Sequence, residues 1–272
     1  IKCIASQKMD TFSAAMTAAT PGQAPGCPWR PPAVCTYTRW PADDQHAGMG
    51  SCCSDRQELA CGRWEKELAT SLVDATYKMT VHDLEFMTLD RQGLPPTFAD
   101  YRAAREGPLT NREMAENSFP GSTEERYHEA GRIAGYLREF GPPTPRMSDD
   151  GINFVVASVA HLFDTPDSVS DWMSDVFLND FQRHVGREVG HGQTLVDIQQ
   201  LEPTGFFDEA IALKAVHSSK NGLVSSTVVD FRVGRILGVA YVGSVGDHTR
   251  LEETTEIGLA LEQNLVSVVL GI

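Results

Sequence analysis

The most constraining feature of this sequence is a pair of β-rich runs separated only by Gly234 and Arg235. Glycine at the first central position suits a two-residue type II′ turn, which joins two antiparallel strands in a hairpin. Such a turn fixes the register and sets Phe231 opposite Gly238. We expect the phenylalanine ring to lie over the glycine, which has no side chain of its own to pack.

A helix is predicted to follow this hairpin and to pack against it. One face of the hairpin is almost wholly apolar, whereas the other carries Asp230 and Arg232 among apolar residues. The pattern from Thr249 to Glu252 is typical of a capping box at a helix start. The residues after it form one buried stripe at helical spacing: Leu251, Thr254, Gly258, Leu261, Leu265 and Val268. Hairpin and helix therefore predict one layer packed on another.

An earlier stretch repeats this β-β-α order. Ile133–Phe140 and Ile152–Phe163 read as strands, and a helix is predicted to begin with Thr165 as N-cap and Pro166 as its first residue. The two units predict an α+β fold, in which one antiparallel sheet carries both long helices on one face.

Shorter elements complete the prediction. Further strands are expected at Thr97–Glu106, Thr194–Leu201 and Glu209–Ser218. Short helices are expected at Asn111–Asn117 and Ser122–Ala130, the second with a capping box that begins at Ser122.

The composition divides the chain into two regions. Residues 1–80 are predicted to be a Cys- and Pro-rich irregular extension, and residues 81–272 the α+β domain. Six of the 15 prolines fall before residue 42, and no helical or strand period is visible there. The same composition also fits translation of a GC-rich region outside its usual reading frame, which would leave this part of the chain without a function.

The cysteines are confined to the N-terminal region. All six precede residue 62: Cys3, Cys27, Cys35, Cys52, Cys53 and Cys61. An even number in one segment favours disulfides in an oxidising compartment, although six cysteines allow 15 pairings. The CxxC pairs typical of zinc sites are absent from the sequence, so disulfides or free thiols are favoured over a metal.

The charge of the chain excludes two kinds of partner. The net charge is −14 and the pI is near 4.9. An acidic chain has little to neutralise the phosphates of nucleic acids or anionic lipids, so neither is expected as a main partner. No apolar run in the sequence is long enough to span a bilayer. The sequence begins at Ile1 rather than Met, which is compatible with a processed or truncated start.

No strong catalytic signature is present in the sequence, so a protein that is not an enzyme is favoured and no cofactor or metal is predicted. Four residues are candidates for a ligand site. His161 and His217 lie on apolar strand faces and would face a shared cavity if their strands were neighbours. Phe206 and Phe207 lie between strands and could line an apolar pocket. Hydrogen-bonded core histidines and buried loop anchors are the structural alternatives for these residues.

Residues of about 84–272 resemble single-domain extracytoplasmic proteins of actinobacteria and related phyla, many of them lipoproteins of unknown function. The resemblance rests on Leu94-Pro95-Pro96-Thr97-Phe98, on HLFDTPDSVSDWM and on VVDFRVGRILGVAYVG before a C-terminal helix. It implies an antiparallel sheet with helices packed on it and an exported binding, sensing or envelope role. The lipoprotein cysteine is not matched, because Ile1-Lys2-Cys3 lacks the small residues of that cleavage site.

Three functional hypotheses follow. The first is an extracytoplasmic or secreted, non-enzymatic domain that binds or senses a small apolar ligand or an envelope protein. The second is an enzyme with a site near His161 and His217, which requires both imidazoles to reach a common point. The third is a metal- or redox-active cysteine segment.

Overall fold

A computed structural model describes residues 72–143, 152–190 and 192–272 of the protein. The six cysteines and most of the predicted extension lie outside these residues. The disulfide, metal and redox hypotheses for the cysteines therefore stay predictions.

The described residues are organised around one antiparallel sheet of eight strands, in the order β1-β2-β3-β8-β7-β6-β5-β4. The strands are β1 (Arg102–Leu109), β2 (Arg132–Gly141), β3 (Ile152–Phe163), β4 (Glu188–Gly190), β5 (Gln193–Leu201), β6 (Ala210–Ser219), β7 (Gly222–Val233) and β8 (Ile236–Val245). The predicted fold class, an antiparallel α+β fold, is confirmed. Strand β4 was not predicted, because three residues are too few to show a period.

The predicted hairpin is confirmed in detail. Val233 pairs with Ile236 and Phe231 pairs with Gly238, as the two-residue turn requires. Gly234 has a φ of 56°, a value that glycine adopts at little cost. The ring of Phe231 fills the space that a side chain at Gly238 would need.

Helices cover both faces of the sheet. The side chains of Leu237, Val239 and Tyr241 in β8 point to one face, which we call the cavity face, and the alternate residues point to the other, which we call the helix face. On the cavity face lie α2 (Asn111–Glu116), α3 (Glu124–Glu129) and a helical stretch at 166–184. On the helix face lie residues 72–76, α1 (Leu84–Met87), a 3₁₀ turn (Pro96–Phe98) and α6 (Leu251–Leu270).

The two long helices thus lie on opposite faces of the sheet, so the prediction that both pack on one face is wrong. Trp172 and Met173 belong to the core of the cavity face, and Leu261 and Leu265 belong to that of the helix face. The physical reason is that β3 and β8 are buried along both of their faces. A strand that is apolar on both sides needs a layer on each side.

The helical stretch on the cavity face contains a turn of unusual geometry. It consists of α4 (Pro166–Asp171), a π-helical segment (Trp172–Leu178) and α5 (Asn179–His184) without a break. Thr165 caps its start by accepting a hydrogen bond from the Ser168 amide, as predicted. Because β3 and β4 are far apart in the strand order, this stretch crosses the cavity face from the centre of the sheet to its edge.

Two of the predicted helix starts are wrong in detail. Helix α6 has Arg250 as its N-cap and no side-chain cap, so the capping box at Thr249 does not form. Arg250 is instead bound to the sheet, because its amide donates a hydrogen bond to the Thr227 hydroxyl and its guanidinium donates one to the Asn153 side-chain oxygen. Helix α3 is capped by Thr123, one residue after the predicted Ser122.

Residues just before position 80 pack onto the domain. The guanidinium of Arg235, in the hairpin turn, donates to the carbonyls of Thr76, Met79 and Phe163 at 3.1, 2.8 and 2.8 Å. Leu72 adds an apolar contact on the helix face. Among the described residues, no helix is long and apolar enough to cross a membrane.

Candidate functional site

A small cavity lies between the cavity face and the π-helical segment. Its volume is about 50 Å³, enough for a few water molecules and too little for a drug-sized ligand. We call it the Asp230 cavity, after the most unusual side chain that lines it. Its lining consists of Met114, Ser118, Phe119, Tyr127, His161, Trp172, Val176, Phe177, Asp180, Phe181, Asp230 and Val239.

The strand register places the polar lining residues. Asp230 pairs with Val239 of β8, and Val239 pairs with Val159 of β3. His161 follows Val159 by two residues and therefore points to the same face. Asp230 and His161 thus approach the cavity from β7 and β3, on either side of β8.

Asp230 is a buried carboxyl group that lacks a hydrogen-bond partner. Its residue is 1% exposed, and neither Oδ1 nor Oδ2 finds a donor in the part of the chain that the structure describes. Burial raises the pKa of this carboxyl to about 8, because a charged group is poorly solvated there. At neutral pH the Asp230 carboxyl is therefore mostly protonated.

His161 is held in one tautomer by Arg132. Its Nδ1 lies 3.2 Å from Nε and 3.0 Å from Nη2 of the guanidinium, which can only donate. Nδ1 is therefore the acceptor, and the hydrogen of the neutral ring sits on Nε2. Burial, together with the charge of Arg132, lowers the pKa of His161 well below 6.5, so the ring is neutral at physiological pH.

Arg132 lies behind His161 and is itself buried. Besides His161, its guanidinium donates to the Leu109 carbonyl at 2.8 Å and to the Asn111 side-chain oxygen. Asn111 in turn donates to the Arg132 carbonyl at 2.9 Å. Burial lowers the pKa of Arg132 to about 9, which leaves it charged at neutral pH. This network holds the His161 imidazole through its Nδ1 atom.

An ion pair lies at the edge of the cavity. Arg126 of α3 binds Asp180 of α5 through two parallel hydrogen bonds of 2.8 Å each. Such a paired geometry joins two helices firmly and leaves neither charge free for a ligand. Phe119 stacks on His184 nearby, with ring centroids 4.4 Å apart.

His217 is not part of this cavity, so the structure does not bring the two predicted histidines together. Strands β7 and β8 lie between β6 and β3. The strand pairings place His217 level with Ile152 of β3. Ile152 and His161 are nine residues apart in that strand, so His217 and His161 are separated by about 30 Å along the strand direction. The condition for the two-histidine enzyme site, neighbouring strands that face one cavity, is not met.

The two phenylalanines have different surroundings. Phe206 stacks on Phe231 at 5.0 Å and covers Gly258 of α6, so it packs in the core of the helix face. Phe207 is 51% exposed and lines a groove of about 470 Å³ on the outer side of α6. We call this the Phe207 groove; its other lining residues are Leu72, Glu262, Gln263, Val266, Ser267 and Leu270.

Sequence reasoning missed the main polar residues of the cavity. Asp230 was read as part of a mixed strand face, and Arg132 lies one residue before the predicted start of β2. The one available signal for Asp230 was an acidic residue directly between Val229 and Phe231 in a β-rich run. Within the described ranges, no group of three or more His, Cys, Asp or Glu side chains is arranged to hold a metal ion.

No family model matches this sequence, and no curated protein matches it. Among solved structures, the chain is similar to the extracellular domain of PknH from Mycobacterium tuberculosis. The TM-score is 0.48 and the sequence identity is 10%, over 69% of this chain and 96% of that domain. The candidate site therefore rests on the geometry of this chain alone.

Proposed function

We propose that this protein is a non-enzymatic binding or sensing domain that takes a small ligand into the Asp230 cavity. The observation that carries the proposal is the buried Asp230 carboxyl, whose two oxygens find no donor in the described chain. A buried carboxyl group without a hydrogen-bond partner lowers the stability of the fold unless a ligand or a water molecule forms hydrogen bonds with it. Natural proteins retain such groups mainly where a ligand, water or reaction uses them.

The walls of the cavity support a ligand site. Tyr127, Trp172 and Phe177 provide an apolar enclosure in which a single polar contact gains strength. The wall opposite the sheet is the π-helical segment, a geometry that is often found at functional sites. The volume limits the ligand to a few non-hydrogen atoms, so of the small apolar ligands that the sequence predicts only the smallest would fit here.

The Phe207 groove supports a second candidate function, the binding of a small apolar ligand at the protein surface. Its volume of about 470 Å³ lies in the range of ordinary ligand sites. The exposed ring of Phe207 and the apolar residues of α6 supply the contact surface. In this version the ligand lies on the helix face, away from Asp230.

A pair of filling variants separates these two sites. Val176 lines the Asp230 cavity and Val266 lines the Phe207 groove, and each is half-buried. We expect Val176→Phe to abolish the binding of small polar and apolar compounds found by calorimetric screening, and Val266→Phe to leave it unchanged. If Val266→Phe abolishes binding and Val176→Phe does not, the groove is the site. If neither variant affects binding, both proposals are wrong.

We also propose that the domain acts outside the cytoplasm. This rests on the resemblance of residues 84–272 to exported actinobacterial-type domains and on the clustering of six cysteines near the N-terminus. Fractionation of the native cells, with thiol labelling before and after reduction, tests it. Recovery in the cytosolic fraction with all thiols free would contradict it.

A further inference from the structure

We infer that the Asp230 cavity takes a small organic cation of about the size of methylammonium, with the Asp230 carboxylate as its counter-charge. This rests on the proposed function and adds the chemical class of the ligand. Asp230 is buried, lines the cavity and has no described donor. An ionised carboxylate in such a place requires a hydrogen-bond donor or a positive charge close to it.

The neighbouring arginines in the described part of the chain have other partners. Arg126 is bound to Asp180, and Arg132 to His161, Asn111 and the Leu109 carbonyl. Arg232, two residues along β7, binds Asp208 through hydrogen bonds of 3.1 and 3.0 Å. None of these three described cations is left to pair with Asp230 when its carboxyl ionises, so a cationic ligand can supply the counter-charge.

The cavity walls favour an organic cation. Tyr127 and Trp172 both line the cavity, and their ring centroids lie 5.2 Å apart with an angle of 52° between the rings, so aromatic surface bounds the site. Aromatic faces attract ammonium groups, most strongly where water is excluded. A hard metal ion would instead need several oxygen ligands, and Asp230 is the one unpaired acid among the described lining residues.

The size and charge of the site argue against larger ligands and against anions. A cavity of about 50 Å³ is well below the roughly 150 Å³ that accommodates benzene. An anion would face Asp230 together with the carboxylate of Asp180. Arg132 does not line the cavity, since His161 stands between its guanidinium and the space.

The test is calorimetric titration of the full chain with methylammonium chloride, with methanol as the neutral isostere and potassium chloride as the inorganic control. A buffer at about pH 8.5 ionises much of Asp230 and keeps the amine charged. We expect saturable binding of methylammonium that Asp230→Asn weakens by about tenfold or more. Asp171→Asn, which removes an exposed acid from the same helical stretch as Trp172, should leave binding unchanged.

The outcomes separate this inference from the proposed function. No binding of methylammonium, equal binding by Asp230→Asn, or equal affinity for methanol or potassium would each overturn the cation assignment. If methanol binds and Val176→Phe blocks it, the cavity remains a ligand site of another class. If methylammonium binds equally to Val176→Phe, the cavity is not the site and both proposals fail.

Discussion

Gly135 and His161 lie opposite each other on β2 and β3, and the missing side chain of the glycine leaves the space that the imidazole occupies. A Cβ at Gly135 would overlap Nδ1 of His161 and would come within 2.7 Å of Nη2 of Arg132. Any larger residue would therefore separate the guanidinium from the ring.

We expect Gly135→Ala to lower the free energy of unfolding by about 1–3 kcal/mol, because the buried pair has no room to move. Urea denaturation measures this. Gly93→Ala is the control, since its added Cβ would meet the end of the Leu89 side chain at 3.2 Å and Asp90 at ordinary contact distances of 3.6 Å and more. It should change stability by less than about 0.5 kcal/mol. Equal stability of both variants would show that the space at Gly135 is not required.

Removing the charge of Arg132 should raise the pKa of His161. Burial is the larger cause of the depressed pKa and remains in the variant, while the repulsion by the guanidinium is lost. We expect Arg132→Gln to shift the imidazole titration upward in NMR spectra, and Arg132→Lys, which keeps a charge, to shift it less. An unchanged titration in both variants would contradict the contact.

Asp230 should make the protein less stable as the pH rises. Its carboxyl ionises near 3.8 in the unfolded chain and near 8 in the fold. Between these values the native state keeps a proton that the unfolded state has lost. The free energy of unfolding therefore falls as the pH rises from about 4 to about 8, by at most about 1.4 kcal/mol per pH unit.

The variant Asp230→Asn lacks this titration and should gain stability relative to wild type across that window. Chemical denaturation at several pH values measures the difference. Asp171→Asn serves as the control for the loss of one negative charge. If the difference between Asp230→Asn and wild type does not grow with pH, the carboxyl is not buried in an uncharged form.

Arg235 should be required for the packing of residues 72–79. We expect Arg235→Ala to speed amide hydrogen exchange in this stretch, because the carbonyls of Thr76 and Met79 lose their donor. The control, Arg112→Ala, removes an exposed arginine whose partner is Glu116 on the same helix. Protection that survives in Arg235→Ala would show that apolar contacts such as Leu72 suffice.

The sequence predicted the local relationships well. The register of the hairpin follows from one glycine and a two-residue turn, and the cap at Thr165 follows from side-chain chemistry within four residues. Both depend only on neighbours in the chain. The start of α6 was missed because Arg250 is held by Asn153 and Thr227, which belong to distant strands.

The candidate site could be predicted only in part. His161 was identified from its apolar surroundings, but its partner Arg132 comes from another strand, and the helical stretch that covers it runs from the centre of the sheet to its edge. The π-helical segment has no sequence signature of its own. Asp230 became visible as an unpaired acid only when every donor around it had been placed.

The order of the strands has a consequence for how the protein folds. Strands β1 to β3 and strands β4 to β8 form two meanders, each built from hairpin-like pairs of successive strands. The seam between them pairs Leu162 with Ile236 and Ile152 with Val245, residues more than 70 positions apart in the chain. Closing such loops is slow relative to forming hairpins. The seam should therefore form late, and the Asp230 cavity, which draws residues from both meanders, should exist only once it has closed.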